Sequence, residues 1–478
     1  MTCDGFHATQ ALEAHCGVRV LSPSGPRRIA AGKALHPAEG ELPDRYRRSA
    51  AIRSREIVNP GFTQNRTIMT NEQQKSDLSQ DTSQDAAIEA ALSIFRDRGL
   101  SAISFRSVGE KAGIHPATLQ SRFGTKRDLL DGVFSLLANQ EAERARQIAK
   151  LANRATKTPS ASAHLYQLTV CGGEPERGRN LILFEMLIAA IRDPAIRPHA
   201  DQWLSETRYS WTAAFSPRDD ADDFGWFLTE LQIGLLVSGI GSGRPRETAL
   251  VNAEIVDRAF GRLSPEDAAW FSAFFDEVLT HKPTAPGGAG KANDLSERLL
   301  TAGAEIVATQ GADALSFRNV AHRAGTTPSA TQNAFPKRHD LINAVYDRIY
   351  QNIAYPFTPI DSFRDASGTA AYFVDVILNR PFAGAYLGLS FAELYLAAAR
   401  HPTLCDLAWY MRMTRGNVID DTNRNTHVAR SVSFDLHAVA LWAFGCTLVH
   451  ASREPEAKLR EVLEKRVKFG LARLWPHI

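Results

Sequence analysis

Two glutamates recur in one setting, Glu185-x-x-x-Ala189-Ala190-x-Arg192-x-Pro194 and Glu393-x-x-x-Ala397-Ala398-x-Arg400-x-Pro402. A helix-borne carboxylate can serve as a general acid or base. Neither glutamate is accompanied by a Ser/His/Asp arrangement, a glycine-rich phosphate loop or metal-ligand spacing. They read as structural, and the chain as no enzyme. Five cysteines (Cys3, Cys16, Cys171, Cys405, Cys446) lie far apart with no Cys-x-x-Cys pair, which supports neither a zinc ribbon nor a disulfide framework. No metal or cofactor is expected.

A different chemistry, recognition of DNA, suits two glutamines and two cations. Gln120 and Gln332 have the amide that can pair with adenine N6/N7 in a major groove. Contact with phosphate or with solvent suits them equally. Lys126 and Arg338 stand where the amides of a helix start can share a phosphate. His115 and Thr327 precede the same segments and read as helix caps or phosphate contacts rather than metal ligands.

These side chains need short helices to hold them. Ile88, Ala91, Leu92 and Phe95 recur at helical spacing, ahead of a terminating Gly99. Ser104 is a good N-cap for a helix from Phe105 towards Ala112, and Gly113 can take the positive φ at which it stops. Pro116 suits the first position of the next helix, towards Phe123. Leu119 and Phe123 face inward at i, i+4, leaving Ala117, Thr118, Gln120 and Ser121 outside. Such a pair with a glycine-containing turn is a helix-turn-helix.

The pattern occurs twice. Residues 99–130 and 311–342 align without a gap, and 13 of 32 positions agree, among them Gly99/Gly311, Phe105/Phe317, Ala112/Ala324, Gly113/Gly325, Pro116/Pro328 and Phe123/Phe335. The glutamate motifs extend the likeness, as do Gly234/Gly445, Val256/Val467 and Arg262/Arg473. The second half reads as a degenerate copy of the first.

The run from Ala91 to Leu129 resembles the DNA-binding domain of the TetR family of bacterial transcriptional regulators. Ala91, Phe95, Gly99, Ala112, Gly113, Thr118, Leu119, Phe123, Lys126 and Leu129 carry the likeness. The second copy matches through Gly303, Val307, Gly311, Ala324, Gly325, Phe335 and Leu341. The resemblance implies an all-α fold of two tandem units, each a three-helix headpiece followed by a helical ligand-binding and dimerisation domain. Departures are Gln120 and Gln332 where a tyrosine is common, Arg338 for the phosphate-facing lysine, and Ala330-Thr331 in place of Thr118-Leu119. The DNA-facing set is then Ser104, Arg106, His115, Ala117, Thr118, Gln120, Ser121, Arg122 and Lys126. Its counterpart is Ser316, Arg318, Thr327, Ser329, Ala330, Gln332, Asn333, Lys337 and Arg338.

Net charge is +2 over 478 residues, which alone argues against a nucleic-acid partner. Its distribution argues otherwise. Residues 106–127 hold five Lys/Arg against Glu110, and residues 318–339 hold four with no acid. Two basic heads are set against an acidic body, as attraction to phosphate requires.

The expected domains are a basic tail or early start over 1–80, a first head over 81–140, a helical domain over 141–280, a Pro/Gly linker over 281–293, a second head over 294–352 and a helical domain over 353–478. Aromatics fill both helical domains. Most are core, and the resemblance implies that some line an effector pocket, with Phe184, Trp203, Trp226, Phe391, Tyr395 and Trp442 as candidates. Leu231–Ser238 and Phe444–Val449 are apolar enough for a dimerisation bundle. No run approaches ~18 consecutive apolar residues, so no membrane partner is expected and the chain reads as soluble and cytoplasmic. The expected activity is regulation of transcription, most commonly repression in the family. Double-stranded operator DNA and a small-molecule effector are the expected partners, with the two heads acting as an intramolecular pseudo-dimer. A chain with only its first head active on DNA, and a homodimer with four heads, are the alternatives.

Overall fold

The computed structural model describes residues 71–155, 159–171, 174–215, 218–263, 269–280, 294–354, 366–379, 387–415, 432–453 and 459–476. The expected linker and the expected tail through residue 70 lie outside them. No strand occurs among the described residues, in keeping with an all-α fold.

Helix α1 (Asn71–Arg98) begins inside the stretch expected as tail. Its first turns contain neither proline nor glycine, so nothing interrupts a helix continuous with the amphipathic part, where Ala87, Ala91, Leu92 and Phe95 are buried. A short 3-10 turn, Leu100–Ala102, leads into α2 (Phe105–Ala112), α3 (Pro116–Phe123) and the long α4 (Lys126–Ala155). There follow α5 (Pro159–Val170), α6 (Glu174–Arg192), α7 (Arg197–Ala214), α8 (Ala221–Ile240), α9 (Pro245–Ala259) and α10 (Ala269–Thr280).

The second part of the chain repeats much of this order. Helix α11 (Asp294–Gln310) and the 3-10 turn Ala312–Ala314 precede α12 (Phe317–Arg323), α13 (Pro328–Ala334) and α14 (Arg338–Ala354). Then come α15 (Ala366–Asn379), α16 (Leu387–Arg400), α17 (Cys405–Met413), α18 (Val432–Ala451) and α19 (Leu459–Leu474).

Three packing relations position the heads. Helix α1 docks on α6, α11 docks on α16, and α6 and α16 pack against each other. Behind them α8 and α18 cross, and both are buried almost all round. A Cβ on Gly234 would overlap the Leu441 carbonyl, and one on Gly445 the Glu230 carbonyl, so the two backbones touch at paired glycines. Phe434–Ala451 is long and apolar enough to span a membrane, but 94% of it is buried within the protein, as expected of a core helix.

Candidate nucleic-acid interface

Each head is built by caps that its sequence specifies. The Ser104 hydroxyl accepts from Ser107 N at 3.1 Å and the Ser107 hydroxyl accepts from Ser104 N at 3.0 Å, a reciprocal capping box. Ser107 also donates to Ala102 O at 2.8 Å, tying α2 to the preceding turn. In the second head Ser316 accepts from Asn319 N at 3.2 Å, and the Asn319 amide donates to Ala314 O at 2.7 Å. The same tie is thus kept with another residue type. Gly113 and Gly325 take φ of 68° and 66° between the paired helices, a region costly for a residue with Cβ.

The start of α3 is capped by His115, whose Nδ1 accepts from Ala117 N at 3.3 Å. At α13 Thr327 does the same, accepting from Ala330 N at 3.2 Å. Pro116 and Pro328 occupy the first helical positions. Leu119 and Phe123 are buried, as are Thr331 and Phe335. The Thr331 hydroxyl, which replaces apolar contact, donates to Thr327 O at 3.3 Å within its own helix.

The opposite face of α3 presents Ala117, Thr118, Gln120, Ser121 and Arg122 to solvent. On α13 Ser329, Gln332 and Asn333 are exposed and Ala330 is half-buried. Arg106, Arg318 and Lys337 are exposed, and Ser316 is half-buried. Arg106 pairs with Glu110 one turn on, at 3.1 Å, with most of both side chains in water. Such a pair is worth little and yields readily to a phosphate.

Lys126 opens α4 and is exposed. Two residues on, Asp128 accepts from Thr125 N at 3.0 Å and from its hydroxyl at 2.6 Å, bonds that hold the Asp128 carboxyl below its ordinary value. Arg338 opens α14, but its Nε donates to Leu315 O at 3.4 Å. The two cations share a position along the chain and differ in what holds them.

The glutamate motifs lie beneath the heads and meet across the molecule. Glu185 accepts from Leu100 N at 2.9 Å and pairs with Arg400. Glu393 accepts from Ala312 N at 3.1 Å and pairs with Arg192 at 2.5 Å. Each glutamate therefore holds the turn after the first helix of its own head and the arginine of the other motif. Arg192 also donates to Val307 O at 3.1 Å, and Ser101 donates to Asp313 at 2.6 Å between the two turns. Burial pushes the Glu185 carboxyl up to about 7, against the charge of Arg400 and the bond from Leu100. This crossing escapes a reading of either motif alone. The available clue is that glutamate and arginine, seven residues apart, share one helix face.

The effector candidates lie in varied surroundings. Trp203 lines a small cavity with Arg179, Asn180, Thr207, Trp211 and Gln232, and the tilted ring of Phe184 lies 6.4 Å from it. Trp226 lies beneath the guanidinium groups of Arg453 and Arg466, at 4.4 and 4.2 Å. Trp442 donates to the buried Glu230 at 3.2 Å. Phe391 and Tyr395 are buried beside Arg415.

Residues 87–133 match the family of bacterial regulatory proteins, tetR family. The HTH-type transcriptional regulator CymR of Pseudomonas putida is 26% identical over 162 residues, which cover 32% of this chain and 77% of that protein. The matched segment runs from the buried face of α1 through α2 and α3 into α4, the elements that present Gln120 and Lys126. Both comparisons support the tetR family of regulators for this chain.

Proposed function

We propose that the protein is a sequence-specific DNA-binding transcriptional regulator whose two heads, carried on one chain, act as a pseudo-dimer on a near-palindromic operator. The observation that carries this reading is the joint beneath the heads. Glu185 with Arg400 and Glu393 with Arg192 make equivalent bonds in opposite directions, and Ser101 meets Asp313, its own counterpart in the repeat. Gly234 and Gly445 repeat the relation at the crossing of α8 and α18. Residues that meet their own counterparts are what a two-fold relation predicts, since such residues lie on the axis.

The heads differ at His115/Thr327 and Leu119/Thr331, which suits half-sites that are alike but not identical. Release from DNA, in this reading, follows binding of a small molecule within the helical domains, and the usual outcome is repression. Binding of duplexes selected from a randomised pool tests the proposal, with Lys126→Ala and Arg338→Ala compared over a salt series. Loss of affinity in both variants is expected. Failure of the intact chain to select any sequence would overturn the reading.

A second reading, in which only the first head works on DNA, is favoured by the bond between Arg338 and Leu315 O and by Ala334 standing where the first head has Arg122. It predicts that Arg338→Ala leaves affinity unchanged.

A further inference from the structure

Three nitrogen-bearing side chains come together in the second helical domain with no acid among them. Arg412, near the end of α17, is completely buried. Its Nη1 donates to Leu235 O at 3.1 Å and to the Ser238 hydroxyl, and its Nη2 to the Asn252 amide oxygen, which leaves Nε without a partner. Two residues past α17, Arg415 lies against the rings of Phe444, Phe391 and Tyr395, at 3.9, 4.5 and 5.7 Å. Its Nε donates to the Tyr395 hydroxyl at 3.3 Å, while its buried Nη2 is unpaired. His437 of α18 is completely buried, and neither ring nitrogen has a hydrogen-bond partner.

Four unpaired nitrogens in one interior are costly, because buried polar groups are ordinarily satisfied. A second guanidinium group, that of the half-buried Arg415, adds repulsion to the buried one. Burial lowers Arg412 to about 10 with Arg415 adding to the shift, and burial with both arginine charges holds His437 well below its ordinary value. Two buried carboxylates of α8 and α18 have partners of their own. Asp435 pairs with Arg258 at 2.9 Å, and Glu230 serves Trp442, Cys446 and His450. Among the described residues, the first domain has no such cluster. With the register of the glutamate motifs, Arg412 and Arg415 correspond to Leu204 and Thr207, and with that of the paired glycines His437 corresponds to Trp226. These side chains are therefore not a requirement of the shared helical framework.

We propose that the interior between α16, α17 and α18 is a binding site for an organic monoanion, a carboxylate on a flat apolar body. In it Arg415 and Arg412 meet the charge, His437 supplies a further hydrogen bond, and Phe391, Tyr395 and Phe271 face the apolar part. Phe271 already lies 5.2 Å from the His437 ring. A carboxylate supplies the acceptors these donors lack, and charge-assisted bonds in a dry site are among the stronger ones available. The inference deepens the ligand-responsive part of the proposed function, giving the effector's chemical class and placing it where the second helical domain meets α8, α9 and α10.

The test is calorimetric titration of the full chain, without DNA, with benzoate and phenylacetate and with their neutral amides. Saturable binding of at least one acid at one equivalent per chain is expected, with its amide tenfold weaker or worse. Arg415→Gln and His437→Leu should each weaken the acid tenfold or more, while Tyr209→Phe, at an exposed ring of α7 in the first domain, leaves it unchanged. Melting curves establish that each variant is folded, and His437→Leu carries the test if Arg415→Gln is not. Equal binding of acid and amide, no binding of either acid, or acid binding indifferent to both variants would overturn the proposal. Selection of duplexes in a separate experiment reports on the regulator reading independently, so the two can fail separately.

Discussion

Lys126 and Gln120 are exposed neighbours on the first head, and they should fail in different ways. Lys126 stands at a helix start, where a cation contributes attraction to phosphate without reading a base. Lys126→Ala should weaken all duplexes alike and reduce the salt slope of log K by about 1, measured by anisotropy between low and moderate salt. Gln120 lies on the outer face of α3, where an amide can pair with a base edge. Gln120→Ala should cost about 1–3 kcal/mol on the preferred duplex and relax selectivity at one position, leaving the salt slope unchanged. A residue-scale prediction of another kind concerns Glu185. Its folded carboxyl is raised to about 7, so between about pH 4.5 and 7 the folded state holds more proton than the unfolded chain. Stability should therefore fall as pH rises through that window, by an amount on the order of 2–3 kcal/mol. Glu185→Gln should lack that fall, and denaturant melts of both proteins at pH 5 and pH 8 measure the difference.

At the scale of elements, the first head was legible in detail. Ser104, Gly113 and Pro116 mark starts and stops through backbone chemistry that acts within a few residues, and α2 and α3 fall between them. The buried pair Leu119 and Phe123 follows from spacing alone. Contacts between distant elements were not legible. Glu185 and Arg192 are visible as a motif, but their exchange of partners with Arg400 and Glu393 depends on how α6 meets α16. Arg412 and His437 lie among mostly buried apolar neighbours, and the helical pattern alone does not mark out their nitrogen-bearing side chains. The glycine pair shows the same limit, since Gly234 and Gly445 are noticeable as a repeat but gain meaning only at the crossing of α8 and α18. Gly234→Ala or Gly445→Ala places a methyl group against a carbonyl of the facing backbone. Each should destabilise the protein by about 3 kcal/mol, because the helices must separate along their buried length, and thermal or denaturant melts provide the measurement. Gly261, with φ of 68° and nothing near its missing Cβ, should show only the smaller cost of its backbone conformation on changing to Ala.

Across the whole molecule, a net charge of +2 hides a basic face on each head and acidic groups consumed inside the body. Glu230 is one of these. Burial pushes its carboxyl upward, yet the His450 hydrogen bond and the charges of His450 and Arg466, with the Cys446 bond, hold it below its ordinary value. It lies on α8 and its partners lie on α18 and α19, so the acid joins the two parts of the chain at their core. The same architecture joins the heads through their crossed glutamate and arginine pairs, which would let a change in one helical domain reach both heads at once. In the proposed pseudo-dimer, one chain supplies both heads to an operator. Native mass spectrometry of the complex on a duplex selected from a randomised pool tests it most directly. One 52.5 kDa chain per duplex is expected. Two chains per minimal duplex, with no complex of one chain, would contradict it.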